Sequence, residues 1–367
     1  MHVVIIGAGE VGTSIADSLD GSHDVVVIDV DEARAEELTY ELDVMTLAGD
    51  GTSPSVLEEA GIGSADMLIA STDDDETNLV ACGTARTLAD PFTIARTKSV
   101  EYLQTWEQTE EAFGVDFMVC SDLLTAENIV RVVGLPAAVD VDPFAGGQVQ
   151  MAEFEIVADS PVAGQTVAEA DRFDSLTFAG LFRDGEMVLP SGGDEIRAGD
   201  RAVVIGSPTS VQGFATDIAP EATPGEATEI VIFGGSEIGY HTARLLEARG
   251  LEPRLVEQDP DRARHLAEKL PDTMVMEHDA TDADFLAREH VDEADIVVAC
   301  LGSDEKNLLV SLLARELGVS RTIAVTGTRQ YADLFETVGS TSQSARARRP
   351  PRRSSASPAA TVPRRWP

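Results

Sequence analysis

The sequence contains few basic residues and almost no lysine. Lysine occurs only at positions 98, 269 and 306, and 65 acidic residues outnumber 27 lysines and arginines, which gives a formal net charge of -38. Such a surface repels nucleic-acid phosphates and anionic lipid headgroups, so we expect no binding of either by charge. Acidity with arginine in place of lysine favours a halophilic protein, because high salt screens the repulsion between like charges. An ordinary acidic cytosolic protein is the alternative.

Cysteine and long apolar runs are also scarce. Cys82, Cys120 and Cys300 are widely spaced and lie in apolar stretches, and no pair has the spacing of a zinc or redox motif, so we interpret them as buried apolar residues in a reducing compartment. No apolar run approaches the roughly 20 residues that cross a bilayer, and no signal peptide is recognised. We therefore expect a cytoplasmic protein without direct membrane insertion, which reaches a membrane only through a partner.

The sequence lacks a recognisable catalytic constellation. Its six histidines are scattered, and none is placed at the expected ligand rim with a carboxylate to orient it, as a dehydrogenase base would be. His278 precedes Asp279 and is a candidate for lining a second pocket, but a lone histidine is more often structural. Nucleophile elbows, Walker lysine motifs and zinc signatures are missing. We expect no catalytic residue and no metal; an NAD-dependent oxidoreductase is the alternative.

What the sequence does contain is one dinucleotide-binding motif, twice. An apolar run leads into each copy; the first comprises Gly7, Ala8, Gly9, Glu10, Val11 and Gly12, and the second Gly234, Gly235, Ser236, Glu237, Ile238 and Gly239. Later landmarks keep the same offset of 227 to 229 residues: Asp29 matches Glu257, Asp50 matches Asp279, Asp66 matches Asp295 and Asn78 matches Asn307. This agreement predicts a tandem duplication rather than chance recurrence of a glycine motif.

The pattern of short β-branched runs and helices predicts an α/β fold. We expect two tandem Rossmann-like, doubly wound parallel sheets with a small β-rich α+β domain between them. The predicted boundaries are 1–135 for the first Rossmann domain, 138–218 for the β-rich domain, 219–228 for a linker and 229–339 for the second Rossmann domain. The helix at 122–133 has more apolar positions than one sheet needs, which predicts packing against another subunit.

Residues 340–367 differ from the rest of the chain. They contain seven arginines and no acid, with many Pro, Ser and Ala residues, a composition that cannot form a packed core, so we expect a disordered basic tail. Our hypothesis is a frameshifted end that replaces a second β-rich domain. A basic arm for nucleic acid or acidic surfaces is the alternative.

The first glycine motif has the context of a dinucleotide site. Gly7 permits the tight turn, Gly9 lets the backbone approach a pyrophosphate, and Gly12 lets the helix lie close to the sheet. Free N–H groups at the start of that helix would face the phosphates. Asp29 follows Gly7 by 22 residues and is placed to accept hydrogen bonds from the adenosine ribose. Because its carboxylate repels a 2′-phosphate, NAD or NADH is preferred over NADP.

Polar residues border the same predicted site. Thr72 and Asp73 follow the fourth strand at its carboxyl end, where ligands of such sheets bind. The run of acids there is a poor metal site, whereas Thr72 followed by Asp75 favours a helix cap. Arg96 ends the fifth strand on the same rim. Two interpretations of Arg96 stay open: it contacts a phosphate, in its own pocket or across a subunit boundary, or it forms a surface ion pair.

The second motif departs from the first at its middle position. Ser236 replaces the middle glycine, and its side chain crowds the place of a pyrophosphate, although Gly235 restores some backbone freedom. Glu257 keeps the ribose carboxylate. Ligand binding at this copy and a degenerate structural copy are both open.

Taken together, the motifs at 7–12, 27–31, 49–52, 65–70, 75–78 and 94–96 resemble the TrkA family, cytosolic regulatory subunits of Trk potassium uptake systems built from RCK (KTN) domains. Residues 138–218 are similar to the C-terminal domain of that family. The resemblance implies binding of NAD(H), and in some members ATP or ADP, and assembly as a homo-oligomer, a dimer or a tetrameric ring, beneath a membrane-embedded Trk-type potassium transporter. A nucleotide-responsive scaffold without a transporter is a further alternative.

The resemblance also implies binding residues at matching positions. The first site takes Gly7, Ala8, Gly9, Glu10, Val11, Gly12, Asp29, Asp50, Thr72, Asp73 and Arg96, and the second takes Gly234, Gly235, Ser236, Glu237, Ile238, Glu257 and Asp279.

Overall fold

The computed structural model describes residues 1–109, 112–183, 186–220 and 229–327 and the backbone of 341–344. Its first sheet is parallel, with six strands in the order β3-β2-β1-β4-β5-β6. The strands are β1 (His2–Ile6), β2 (Asp24–Asp29), β3 (Met45–Ala48), β4 (Met67–Ala70), β5 (Phe92–Thr97) and β6 (Phe117–Cys120). The helices are α1 (Glu10–Leu19), α2 (Glu32–Glu41), α3 (Pro54–Glu59), α4 (Asp75–Leu88), α5 (Val100–Thr109) and α6 (Ser121–Val133).

The central strand of this sheet is buried on both faces. Val3, Val4, Ile5 and Ile6 are all at most 2% exposed, which explains why β1 is a continuous apolar run instead of an alternating one. The strand order reverses between β1 and β4. In open α/β sheets this reversal opens a crevice at the carboxyl ends of the strands, and ligands bind there.

A small antiparallel sheet follows, with the order β10-β9-β11-β8-β7. Its elements are β7 (Ala138–Phe144), β8 (Val149–Glu155), α7 (Val167–Ala170), β9 (Leu176–Arg183), β10 (Glu186–Val188), β11 (Arg201–Gly206) and α8 (Pro208–Ile218). Phe214 of α8 is fully buried, and its ring meets those of Phe154 and Phe178 edge-on at 5.5 and 5.1 Å. The helix therefore covers one face of the sheet.

The third sheet repeats the first, in the order β14-β13-β12-β15-β16-β17. Its strands are β12 (Ile230–Phe233), β13 (Arg254–Glu257), β14 (Met274–Glu277), β15 (Ile296–Ala299), β16 (Arg321–Thr326) and β17 (Thr341–Ser344). Its helices are α9 (Glu237–Glu247), α10 (Pro260–Lys269), α11 (Ala283–Arg288) and α12 (Asp304–Leu317). The predicted fold class of two Rossmann-like sheets around a small β-rich domain is confirmed.

One strand lies where we predicted a disordered tail. The segment Thr341–Ser344 pairs in parallel with β16, so the sheet extends beyond the predicted limit at residue 339. The four residues are small and polar and carry no apolar alternation, so the sequence pattern could not reveal a strand that is defined by backbone pairing. The remainder of the tail, 345–367, and most of the predicted linker lie outside the described residues.

Helix α6 joins the two halves of the chain. It packs against α9 of the second Rossmann domain, and one apolar cluster runs from Ile129 of α6 through Phe214 to Leu266 of α10. The Arg321 guanidinium donates to the carbonyls of Val132 and Ala138 at 2.7 and 2.8 Å. The prediction that α6 packs on another subunit is therefore wrong for this face, because the duplicated half of the same chain covers it.

Candidate functional site

The first glycine loop leaves the start of a helix open. Gly7 has φ +100, a left-handed conformation that a side chain would strain. A Cβ on Gly12 would lie 1.8 Å from the Gly7 carbonyl oxygen, whereas one on Gly9 would meet no described atom within 4 Å. Gly9 precedes α1 and brings no capping side chain. A helix N-terminus whose N-cap residue brings no capping side chain is an arrangement that can bind phosphate.

Asp29 fixes the loop to the end of β2. One carboxylate oxygen accepts the Ala8 N–H at 2.6 Å and the other accepts the Asp31 N–H at 2.8 Å. Asp29 is 9% exposed. Each oxygen keeps a lone pair for a further donor beside the glycine loop.

These elements surround a cleft of about 480 Å³ at the carboxyl end of the sheet. It is lined by nine predicted site residues, Gly7, Gly9, Glu10, Val11, Asp29, Asp50, Thr72, Asp73 and Arg96. Two further predicted site residues, Ala8 and Gly12, do not line the cleft. Ala8 donates its N–H to Asp29, and Gly12 is buried against Gly7. The sequence reasoning missed Arg34 and Ser71, which also line the cleft.

Arg96 closes one side of the cleft. Its Nη1 donates to the Thr72 carbonyl at 3.2 Å and to Asp73 at 3.1 Å, and the Lys98 ammonium lies 3.4 Å from the same carboxylate. The side chain of Arg96 is only 11% exposed. Its Nε is buried and has no hydrogen-bond partner among the described residues. A buried, unpaired donor at a ligand rim fits an anionic ligand group better than a surface ion pair.

The acidic run after β4 caps a helix, but not through the predicted residue. The Asp74 carboxylate accepts the Thr77 N–H at 2.7 Å, and α4 begins at Asp75. Thr72 instead donates its hydroxyl to the Asn78 side chain at 2.8 Å. The predicted cap at Thr72 is therefore wrong, because α4 begins at Asp75 and its N-cap residue is Asp74. In the described residues no group of three or more ligand side chains could hold a metal ion.

Asp50 and Asp279 occupy matching turns after the third strand of each Rossmann sheet. Asp50 accepts the amide and hydroxyl of Thr52 at 2.9 and 2.7 Å, and Asp279 accepts those of Thr281 at 2.9 and 2.8 Å. In each case the backbone and then the side-chain hydrogen bond hold the pKa of the carboxyl below its usual value. Both groups are thus ionised turn residues, and Asp50 also faces the first cleft.

The second glycine loop keeps the frame of the first. Gly234 has φ +101, and a Cβ on Gly239 would lie 2.0 Å from the Gly234 carbonyl oxygen. Glu257 accepts the Gly235 N–H at 2.8 Å with one oxygen and the Asp259 N–H at 2.8 Å with the other. The backbone of the cradle and its carboxylate are therefore duplicated.

The surface of the second loop differs. Ser236 donates its hydroxyl to the Cys300 carbonyl at 2.8 Å and accepts the Gly239 N–H at 3.3 Å, so it caps α9. A Cβ on Gly235 would lie 2.3 Å from Leu266 Cδ1. The missing Cβ of Gly235 leaves room for the Leu266 side chain beside the loop.

The remaining predicted residues of the second copy have protein partners. Glu237 forms an ion pair with Arg262 at 2.9 Å, and Ile238 is half-buried against the apolar cluster between α6 and α9. His278 lies 3.3 Å from Asp282, and its ring stands edge-on against Phe285. These contacts support the structural interpretation of His278.

The fold and the two cradles define a class of tandem Rossmann-type nucleotide-binding proteins. The model of the TrkA-N domain matches residues 3–121 and 230–343, and that of the TrkA-C domain matches 151–217. The chain belongs to the TrkA family. It is 36% identical over 347 residues to the Trk system potassium uptake protein trkA homolog 1 of Methanosarcina mazei, with 92% of this chain and 84% of the relative covered. It is 31% identical to TrkA of Halomonas elongata, with 92% and 74% covered.

Solved structures share the fold. The GsuK RCK domain matches with a TM-score of 0.69 at 20% identity, covering 94% of this chain and 73% of that one. The GsuK channel bound to NAD matches with a TM-score of 0.68 at 21% identity, covering 94% and 61%. At this identity the likeness supports the architecture alone.

Proposed function

We propose that this chain is a nucleotide-sensing regulatory subunit that gates a membrane-embedded Trk-type potassium transporter. NAD(H) binds in the first cradle, and the ligand shifts the chain between conformations without being transformed. The observation that carries this proposal is the open cleft of β1, β2, β4 and β5, where an uncapped helix, the Asp29 carboxylate and Arg96 converge. The names of the relatives, potassium uptake proteins, support the transport role.

The residues of the cleft fit a dinucleotide. The pyrophosphate would lie against the first amides of α1, where Gly9 leaves room for it, and Asp29 would accept the hydroxyls of the adenosine ribose. The unpaired Nε of Arg96 would donate to a phosphate oxygen. ADP and ATP share the adenosine and phosphate groups, so we expect them to compete for the same cleft.

The position of the cleft also suggests how occupancy changes the shape of the chain. Arg96 and Lys98 act electrostatically on Asp122, at the start of α6, and α6 packs against the second Rossmann domain. An anionic ligand that pairs with these cations therefore changes the charge balance at an interdomain helix. Such differential binding to two states is sufficient for regulation.

We propose a location on the cytoplasmic side of the membrane, as a homo-oligomer held there by the transporter subunit. No helix in the described parts of the chain is long and apolar enough to span a bilayer, so a membrane-spanning partner would supply the pore. Co-purification with the transporter subunit, and potassium uptake that changes with the nucleotide, test this part. A chain that captures no transporter would be a scaffold instead.

Calorimetric titration of the full chain with NAD, NADH, ADP and ATP tests ligand binding. Asp29→Ala removes a charged acceptor, so we expect a loss of about 1.5–3 kcal/mol, or roughly tenfold to a hundredfold in affinity. Asp43→Ala is the control, because Asp43 is exposed at the opposite end of the sheet. Equal affinities for the two variants would overturn the assignment. Steady oxidation of NADH with a carbonyl substrate would favour the oxidoreductase.

A further inference from the structure

We propose that Ser236 and Arg262 occupy the second cradle and exclude a dinucleotide from it, so that each chain binds one dinucleotide rather than two. This inference rests on the proposed function, because it concerns the duplicate of the proposed binding site. It assigns Arg262, which no sequence motif singled out, as the residue that determines which copy accepts ligand.

The first step is the start of helix α9. In the first copy, Gly9 has no side chain that could accept an N–H of α1. In the second copy, the Ser236 hydroxyl accepts the Gly239 N–H and is held in place by its own bond to the Cys300 carbonyl. A neutral hydroxyl thus takes one of the donors that a phosphate would need. The remaining donors alone bind an anion less strongly.

The second step is the position of the Arg262 side chain. Its Nε donates to the Gly235 carbonyl at 2.8 Å, and its Nη2 donates to the Glu237 carboxylate at 2.9 Å. These two acceptors flank Ser236, the middle position of the motif, where a pyrophosphate approaches the backbone. The guanidinium therefore bridges the loop at that position. A dinucleotide would have to break both hydrogen bonds before it could bind.

The third step is a comparison with the matching arginine of the first copy. Arg34 follows Asp29 by five residues, as Arg262 follows Glu257. The Nε of Arg34 lies 3.6 Å from Asp31, and its side chain is 60% exposed at the margin of the open cleft. The same residue type at the same position therefore leaves one cradle open and closes the other.

The two loops also differ at the position before the middle of the motif. Ala8 of the first loop matches Gly235 of the second, and Leu266 of α10 matches Leu38 of α2. A Cβ at position 235 would lie 2.3 Å from Leu266 Cδ1, so the missing Cβ leaves room for that side chain. The Arg262 Nε donates to the carbonyl of the same residue, Gly235.

The experiment measures how many NAD molecules the full-length chain binds, by calorimetry. We expect one per chain for the wild type and two for the double variant Ser236→Gly with Arg262→Ala. Arg264→Ala is the control, because Arg264 lies on the same helix α10 and is 67% exposed, and it should leave one. Two NAD molecules on the wild type, or one on a double variant whose circular dichroism is unchanged, would overturn the inference.

Glu257 variants make the result independent of the first cradle. In the wild type, Glu257→Ala should not change the number of NAD molecules bound, and loss of a bound NAD would contradict exclusion. This test remains available even if the double variant does not fold. In the double variant, Glu257→Ala should remove the second NAD. A wild type that binds no NAD defeats the proposed function. Even then, NAD binding that the double variant gains and that Glu257→Ala removes would support exclusion from the second cradle. If the double variant gains no binding, exclusion is refuted.

Discussion

Arg321 offers the sharpest test of how the two halves of the chain are held together. It is the first residue of β16, and its guanidinium donates to the Val132 carbonyl near the end of α6 and to the Ala138 carbonyl at the start of β7. Burial lowers the pKa of Arg321 to about 10, so the group stays charged at neutral pH. A cation at the carboxyl end of a helix also interacts favourably with the helix dipole.

The cost of Arg321→Met follows from what the substitution leaves behind. Methionine fills a similar volume, but the two carbonyls lose a charged donor, although the Val132 carbonyl still accepts the Leu135 N–H at 3.2 Å. Each hydrogen bond to a charged group contributes about 1.5–3 kcal/mol. Removal of the charge also removes its desolvation cost, which offsets part of the loss. We therefore expect the free energy of unfolding to fall by about 2–4 kcal/mol, less than when a buried charge loses its partner.

Urea denaturation followed by circular dichroism measures this change. Because the domains of the chain need not unfold together, the comparison uses the first unfolding transition. Arg264→Met is the control, since Arg264 and its partner Asp261 are 67% and 90% exposed and such a pair contributes about 0–1 kcal/mol. If Arg321→Met unfolds at the same urea concentration as the control, the cap on α6 contributes nothing and the argument fails.

Three further predictions concern single residues. Burial raises the pKa of Asp200, but the hydrogen bonds that it accepts from Arg183 and from the Arg197 amide outweigh burial and hold this pKa low. The stability that the ionised carboxylate contributes is therefore lost as the pH falls below about 4. In denaturation curves, Asp200→Asn should reduce this loss of stability at acid pH. Burial lowers the pKa of His241. The free energy of unfolding, measured by urea denaturation, should therefore be highest above about pH 6.5 and fall below that pH. This fall should be smaller in His241→Leu. Gly9→Ala should keep the melting temperature but weaken NAD binding, whereas Gly12→Ala should lower the melting temperature. Of the two new Cβ atoms, only that at position 12 meets protein atoms, at 1.8 Å. Equal melting temperatures of the two variants would contradict this.

The fold and the frame of both cradles could be predicted from the sequence. An apolar strand, a glycine turn and an acid at the end of the next strand are local patterns that each specify one conformation. The same patterns at an offset of about 228 residues make the duplication evident. Gly7 and Gly234 adopt the left-handed conformation that the turn requires, and the carboxylates of Asp29 and Glu257 accept backbone amides of that turn.

What could not be predicted depends on contacts between side chains distant in sequence. Thr72 matched a capping pattern, yet Asp74 caps α4 and the Thr72 hydroxyl donates to the Asn78 side chain. Arg34 and Arg262 occupy equal positions, yet Arg34 lies beside Asp31 and Arg262 donates to the Gly235 carbonyl. The apolar surplus of α6 was detectable, but a pattern cannot say whether a second subunit or the duplicated domain covers it.

Asp122 connects these observations to regulation. Burial raises the pKa of this carboxyl, Arg96 and Lys98 lower it, and Glu237 of the second loop raises it. An anionic ligand paired with Arg96 would remove part of the lowering influence, so NAD binding should raise the pKa of Asp122 further and take up protons in mildly acidic buffer. Calorimetry in buffers of different ionisation enthalpy measures that uptake, and Asp122→Asn should abolish it. If the variant takes up as many protons as the wild type, the first cleft is not coupled to α6 through this carboxyl.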